Sequence, residues 1–367
     1  MSAIIVPGRQ TNRQSNWELL RIVAMLMIVA GHFFQQSGFI RSASAADYWF
    51  SIFAGSGSRI AVNMFLMLGC WFMVDTKFKA HRIIKLYLNV WCFTVPLTIL
   101  VVCLGFSPTM KDVARGIFPF VGKGLWFASA YIMLILFSPW LHKVLEWKEY
   151  SIRNLLIVSF LLISVWVTFW TIDRTEDQWL DIVVWFSFMY VFIGYYKHHV
   201  QLKINKYYAV AAGIIAYLVL AGVSGYCGLY SADSEIMKSI GRIFTAFLSD
   251  YKTFTNFFIS CCFFYFFQRL TMPNSKIINY IASGAFTTYI VHQTPAFIHV
   301  LWYNIFQCDY FVNGNYKSVY SIVVILSTYI GCLILERIRK RWVEKNLLKA
   351  HVILSIEKKI DRFYNSC

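Results

Sequence analysis

The chain carries little charge for its size. Of its 367 residues only 14% are Asp, Glu, Lys or Arg, against about 25% in soluble domains. Apolar residues make up 58% and aromatics 19%, so a water-soluble enzyme is excluded. Also missing are a CxxC pair, an HExxH run, a P-loop and a GxGxxG turn. Zinc, ATP and dinucleotide chemistry therefore have no handle in the sequence, and no metal is expected. Short-period repeats and low-complexity tracts are absent too.

What the chain does have is long hydrophobic runs. Nine reach about 17 residues or more and a tenth is shorter and rich in Phe, as repeated crossing of a hydrocarbon layer roughly 30 Å thick requires. The expected fold is all-α and polytopic, with spans over 17–38, 59–74, 83–105, 124–141, 154–172, 180–196, 207–225, 253–268, 278–300 and 317–336. Around this membrane domain, taken as 17–338, lie a short N-terminal segment (1–16) and a basic tail (339–367).

The formal charge is +16, from 34 Lys and Arg against 18 Asp and Glu. In a soluble chain that excess would point to nucleic acid; here its placement points to topology. With the N-terminus inside, 24 of the 34 basic residues fall on the inner side, as cytoplasmic basic excess requires. Both termini are then cytoplasmic, the expected site is the cell inner (plasma) membrane, and the expected partner is the lipid bilayer rather than nucleic acid. In the tail, Leu348, Val352, Ile356, Ile360 and Phe363 fall near helical spacing beside Lys349, Lys358 and Lys359. That pattern suits a helix lying on the inner membrane face. The run from Trp17 followed by Ala43-Ser44-Ala45 mimics a secretory signal, but it is too long and contains Arg21 and His32. Outer links at 39–58, 106–123, 226–252 and 301–316 are long enough to build a mouth for an acceptor. Cys227 and Cys308 both fall in those links, where pairing or free thiols remain alternatives.

A polar or ionisable group inside a span costs roughly 2.5 kcal/mol or more when unpaired, which makes it a functional candidate. The first span holds two, Arg21 and His32, separated by three helical turns or about 16 Å on one face. Such a face suits a coenzyme A thioester. Its anionic phosphates would stay at a basic inner mouth while its carbonyl reaches His32, whose neutral imidazole can take the proton of an attacking hydroxyl. Taken singly, Arg21 also suits snorkelling to headgroups, and His32 an interhelical hydrogen bond.

The Arg21, ten residues, His32 spacing resembles that of the membrane acyltransferases of family 3. Further segments are similar in order: Ala61 to Phe72, Lys79 to Tyr87, Leu125-Trp126-Phe127 with Ser138-Pro139, and Thr288-Tyr289-Ile290-Val291-His292. The resemblance spans about residues 14–340. It implies an O-acyltransferase of the Leu-Trp-Phe branch, without a fused soluble esterase domain, using acyl coenzyme A (most simply acetyl-CoA) as donor. The implied acceptor is a carbohydrate hydroxyl of a bacterial cell-surface polysaccharide or lipid-linked precursor. His32 would be the base, and Arg21, Arg82 and Lys85 would hold the donor's phosphates. Two departures stand out: Gly69-Cys70 replaces the usual Ser-Gly, and Arg82-Ile83-Ile84-Lys85 ends in Lys, a point charge rather than a forked donor.

Other residues carry two readings each. Arg59 could meet the acceptor or a headgroup. Asn63 could orient His32 or pack helices, and His292 could line the site or make a structural hydrogen bond. His198-His199 read as a solvated basic edge. Trp126, Trp140, Trp179 and Trp302 read as interfacial anchors, with Trp126 also a candidate support of the site. A glycan or lipid-linked sugar transporter is the alternative class, since ten spans with buried polar groups suit alternating access.

Overall fold

The computed structural model describes residues 14–39, 44–120, 124–170, 179–231, 234–312, 314, 316–341, 355–357, 359–361 and 364; of Trp170 and Trp179 only the backbone is considered. Among the described residues the protein is helical, with no strand. Its helices are α1 Ser15–Gln36, α2 Ala45–Gly55, α3 Ser58–Met73, α4 Ala80–Cys103, α5 Met110–Ile117, α6 Trp126–Leu145, α7 Glu149–Phe160, α8 Trp166–Trp170 and α9 Trp179–His199. They continue as α10 Lys206–Leu229, α11 Glu235–Ser249, α12 Phe254–Arg269, α13 Lys276–Ala282, α14 Ala285–His292, α15 Pro295–His299, α16 Cys308–Phe311 and α17 Lys317–Arg339. A π-helical turn, Leu161–Val165, joins α7 to α8, and another, Val300–Ile305, follows α15.

Among the described residues, eight helical stretches are long and apolar enough to cross a membrane. The protein is thus an all-α, multi-pass membrane protein. α1 is the most buried of the eight and packs against α2, α3, α12, α13, α14 and α17. α4, α7 and α10 lie at the periphery and turn residues such as Leu100, Ile157 and Val219 outward, as contact with lipid tails requires.

Two expected spans differ from that pattern. α12 has only 16 residues, about 24 Å at the usual rise. It is embedded in protein, with Asn256 and Ser260 fully buried and bonded to the Leu248, Asp250 and Ile60 carbonyls, so it need not match the lipid thickness. The stretch 278–300 is not one helix but three, α13, α14 and α15. Ser283-Gly284 ends α13, and Pro295 opens α15 because it lacks the amide proton that a continuing helix would use. At the first break the Tyr280 and Ile281 carbonyls accept from the turn, from Ser283 N and Gly284 N at 3.2 Å each, and α17 adds a second donor to each: Arg337 to Tyr280 O at 3.3 Å and Tyr329 to Ile281 O at 3.1 Å. At the second, Thr294 donates to Ile290 O at 2.8 Å. Such broken backbone is tolerated at membrane depth only inside protein. Gly284 is required where it stands, since a Cβ there would lie 3.0 Å from the Cα of Leu333 on α17.

The long links at 39–58, 106–123, 226–252 and 301–316 contain the helices α2, α5, α11 and α16. Ser44, Thr109 and Ser234 cap the first three with their side-chain oxygens. Trp302 is not an interfacial anchor. It is fully buried and donates to Gln36 Oε1 at 2.8 Å, fastening the end of α1. Trp140, by contrast, is exposed. Cys227 and Cys308 are free. Cys227 lies against Gly241 and Cys308 against Tyr320, and burial pushes the Cys308 thiol up to about 11. Lys197 pairs with Asp75, His198 lies 3.4 Å from the same carboxylate and His199 3.9 Å from Glu149, so the His198-His199 edge is partly exposed and borders two carboxylates. The N-terminal segment with Arg9 and Arg13 lies outside the described residues, as do Leu348, Val352 and Phe363 of the tail. Three described tail residues, Glu357, Asp361 and Tyr364, dock on the start of α4. Glu357 meets His81 at 2.7 Å, Asp361 accepts from Ala80 N at 2.8 Å, and Tyr364 stacks on Phe78 with ring centroids 4.1 Å apart.

Candidate functional site

α1 presents Arg21 and His32 toward two different cavities that belong to one series. At the end of the bundle where Trp17 packs on Trp71, a cavity of about 380 Å³ is lined by Arg82, Lys85, Asn89 and Tyr131. The Oδ1 of Asn89 is buried there without a hydrogen-bond partner. Through Gly69, Leu86 and Tyr131, which line both, this cavity adjoins a second of about 290 Å³ that holds Arg21 and Lys340. Gly69 keeps the junction open, because a Cβ at this position would lie 2.7 Å from the Tyr131 hydroxyl.

Phe65, Phe127 and Phe286 then separate the Arg21 cavity from a much smaller one, about 20 Å³, containing His32, Arg59, Trp126 and Tyr289. Ser58 and Arg59 in turn line a fourth cavity of about 300 Å³, rich in hydroxyls from Ser51, Ser56, Ser224, Thr245 and Ser249. The order is therefore basic chamber, Arg21 chamber, narrow His32 chamber, hydroxyl-lined chamber.

His32 is held by its neighbours. Its Nδ1 lies 2.8 Å from Nε2 of His292, and the Nδ1 of His292 bonds to the carbonyl of Thr288 one turn earlier in α14. Both breaks in the 276–299 stretch contribute to this placement, since α14 is a two-turn helix set between them. Tyr289 accepts a hydrogen bond from Phe127 N at 3.2 Å, which ties α14 to the start of α6. Trp126 stacks on Tyr251, with ring centroids 5.4 Å apart and planes 14° from parallel.

Arg21 is paired with Glu18 at 2.6 Å, and its side chain retains 28% exposure. Lys340 is held by the buried Glu336, which also accepts from Thr287 and, through both oxygens, from Arg339. A bidentate pair of this kind fixes geometry as well as charge.

Of the residues expected from sequence, His32, Arg21, Arg82, Lys85, Arg59 and Trp126 line the cavity series, and His292 touches His32 directly. Asn63 does not orient His32. It donates to Tyr251 O at 2.7 Å and accepts from Trp185 Nε1 at 3.0 Å, so its amide is spent on joining α3, α9 and the loop before α12. Lys340, Tyr131, Tyr289 and Asn89 were not singled out by sequence. Lys340 sits within the basic run at 337–341 and carries no local mark of its own. Among the described residues no group of three or more His, Cys, Asp or Glu is placed to hold a metal ion.

A family model described as an acyltransferase domain matches residues 14–347. The chain belongs to acyltransferase family 3. Searches among curated proteins and solved structures gave no match. The family match covers every element of this acyltransferase that lines the cavities, from Arg21 on α1 to Lys340 beyond α17.

Proposed function

We propose that this acyltransferase moves an acyl group, most simply acetyl, from acyl coenzyme A to a hydroxyl of a carbohydrate, with His32 as general base. The observation that carries the reading is the order of the cavities, each of which shares lining residues with the next. Residues shared between neighbours lead from Arg82 and Lys85, past Arg21, to His32 and on to a hydroxyl-lined chamber. The donor enters with its phosphates at Arg82, Lys85 and Arg21 and its pantetheine arm along the aromatic passage.

The His32 chamber has room for about one water-sized group, so any acyl group must displace the surrounding rings to enter, and a two-carbon group needs the least displacement. The acceptor enters from the opposite chamber, whose neutral hydroxyls suit a sugar. Arg59 borders both spaces, where its charge supports the negative oxygen that develops on the thioester carbonyl. By the distribution of Lys and Arg, the basic chamber faces the cytoplasm of a bacterial inner membrane and the hydroxyl-lined chamber faces outward. The product is an acylated cell-surface polysaccharide or its lipid-linked precursor.

The test is mass spectrometry of the surface glycan from cells carrying the wild-type gene, no gene, or His32→Ala. Ester-linked acetyl should be lost without the gene and fall by at least ~10²-fold with His32→Ala at equal membrane abundance, the usual weight of a general base. An unmodified composition with trapped precursor would indicate transport instead. Retention of more than a tenth of the ester in His32→Ala would remove His32 from the chemistry.

A further inference from the structure

The half-buried His32 and the fully buried His292 form a one-way chain of hydrogen bonds. The Thr288 carbonyl can only accept, so the Nδ1 of His292 beside it must carry a hydrogen. His292 is fully buried, and neither it nor His32 has a carboxylate partner among the described residues. An imidazolium there would be costly, so the ring is neutral and its Nε2 offers a lone pair. His32 must then donate from Nδ1 across the 2.8 Å contact. Its Nε2 is left bare, as the ring nitrogen available to the narrow chamber that His32 lines.

We propose that His292 is a positioning residue that fixes His32 as the Nδ1–H tautomer and so presents Nε2 as the proton acceptor. This rests on His32 acting as the base. In the transfer step the acceptor oxygen bonds to the acyl carbon, the carbon–sulfur bond breaks, and the hydroxyl proton passes to His32 Nε2 and from there to the departing thiolate. While His32 carries that proton, its Nδ1–H bond to His292 becomes charge-assisted and shorter-lived alternatives of ring orientation are closed off. The other tautomer would direct an N–H at the acceptor and could take no proton.

The experiment uses the full-length protein in lipid bilayers, with its eight histidines labelled with ¹⁵N and the His32 signals assigned by their loss in His32→Asn. Wild type should show a protonated Nδ1 and a bare Nε2 at His32. His292→Gln, whose side-chain oxygen can stand in for Nε2 as acceptor, should keep that signature and keep glycan ester within about tenfold of wild type. His292→Leu should lose the signature and at least ~10²-fold of the ester, the weight of a general base, with acetyl-CoA binding unchanged by equilibrium titration. A protonated Nε2 at wild-type His32, or an unchanged His32 signature in His292→Leu, overturns the proposal. If the tautomer follows His292 as described but His32→Ala keeps its ester, the positioning stands and the base assignment falls, so the two failures are distinguishable.

Discussion

At the scale of single residues, the proposed reaction divides the site into charges that would bind and one ring that would react. Arg82 and Lys85 line the basic chamber, away from the chamber that holds His32. Phosphate contacts made there are the same before and during acyl transfer, and such contacts change KM without changing kcat. Arg82→Gln and Lys85→Gln should each raise the acetyl-CoA KM several-fold while leaving the saturated rate within about twofold. Steady-state kinetics of the reconstituted enzyme checks this, and a pure fall in kcat would place both residues elsewhere. Arg82 should show the larger effect, because a guanidinium grips phosphate with two parallel donors where an ammonium offers a point charge. Asn63 teaches the opposite lesson. It is as polar and as deep as His32, yet its amide is wholly engaged by Tyr251 and Trp185. Sequence marks a buried polar side chain as costly; only its neighbours show whether it holds the fold together or faces a substrate.

At the scale of elements, the decisive feature is the interrupted stretch α13–α14–α15 packed on α17. Its apolar run from 278 to 300 reads as one span by hydropathy, and the break signals Ser283-Gly284 and Thr294-Pro295 are visible in the chain. The partners that brace the first break from α17, Arg337 and Tyr329, sit some fifty residues later, and no local pattern announces them. Gly284 lets the two elements meet. Gly284→Ala should destabilise the protein by roughly 1–3 kcal/mol, since a Cβ 3.0 Å from the Leu333 Cα cannot be relieved by a rotamer change. Gly331→Ala, on the facing helix α17, is the control. A Cβ there meets nothing within 4 Å, so that variant should be neutral or gain up to about 1 kcal/mol. Denaturant unfolding of the two purified variants separates these outcomes, and equal stabilities would mean that α14 and α17 yield more readily than their contact implies.

For the molecule as a whole, composition and the spacing of apolar runs made the all-α membrane class legible, because immersion in lipid taxes every residue in the same direction. Most of the site's members were legible as well, through their charge or their imidazole. What stayed hidden was the order in which cavities join, since that depends on how helices far apart in the chain are rotated against one another. Orientation is the remaining global property, and it has its own check. With Cys227 and Cys308 replaced, Ser44→Cys should react with an impermeant thiol reagent added outside intact cells, and Lys203→Cys only after lysis; both positions are exposed. Labelling of Lys203→Cys from outside would invert the topology and put the basic chamber on the wrong side for a cytosolic thioester. One dimension of the cavity series has a bearing on the cell rather than on the reaction. Chambers of about 290 and 300 Å³ flank one of about 20 Å³, which holds roughly a single water. On the two-sided access proposed above, donor and acceptor would meet across a constriction too narrow for a continuous column of water, so the enzyme would admit both without opening an ion leak across the membrane.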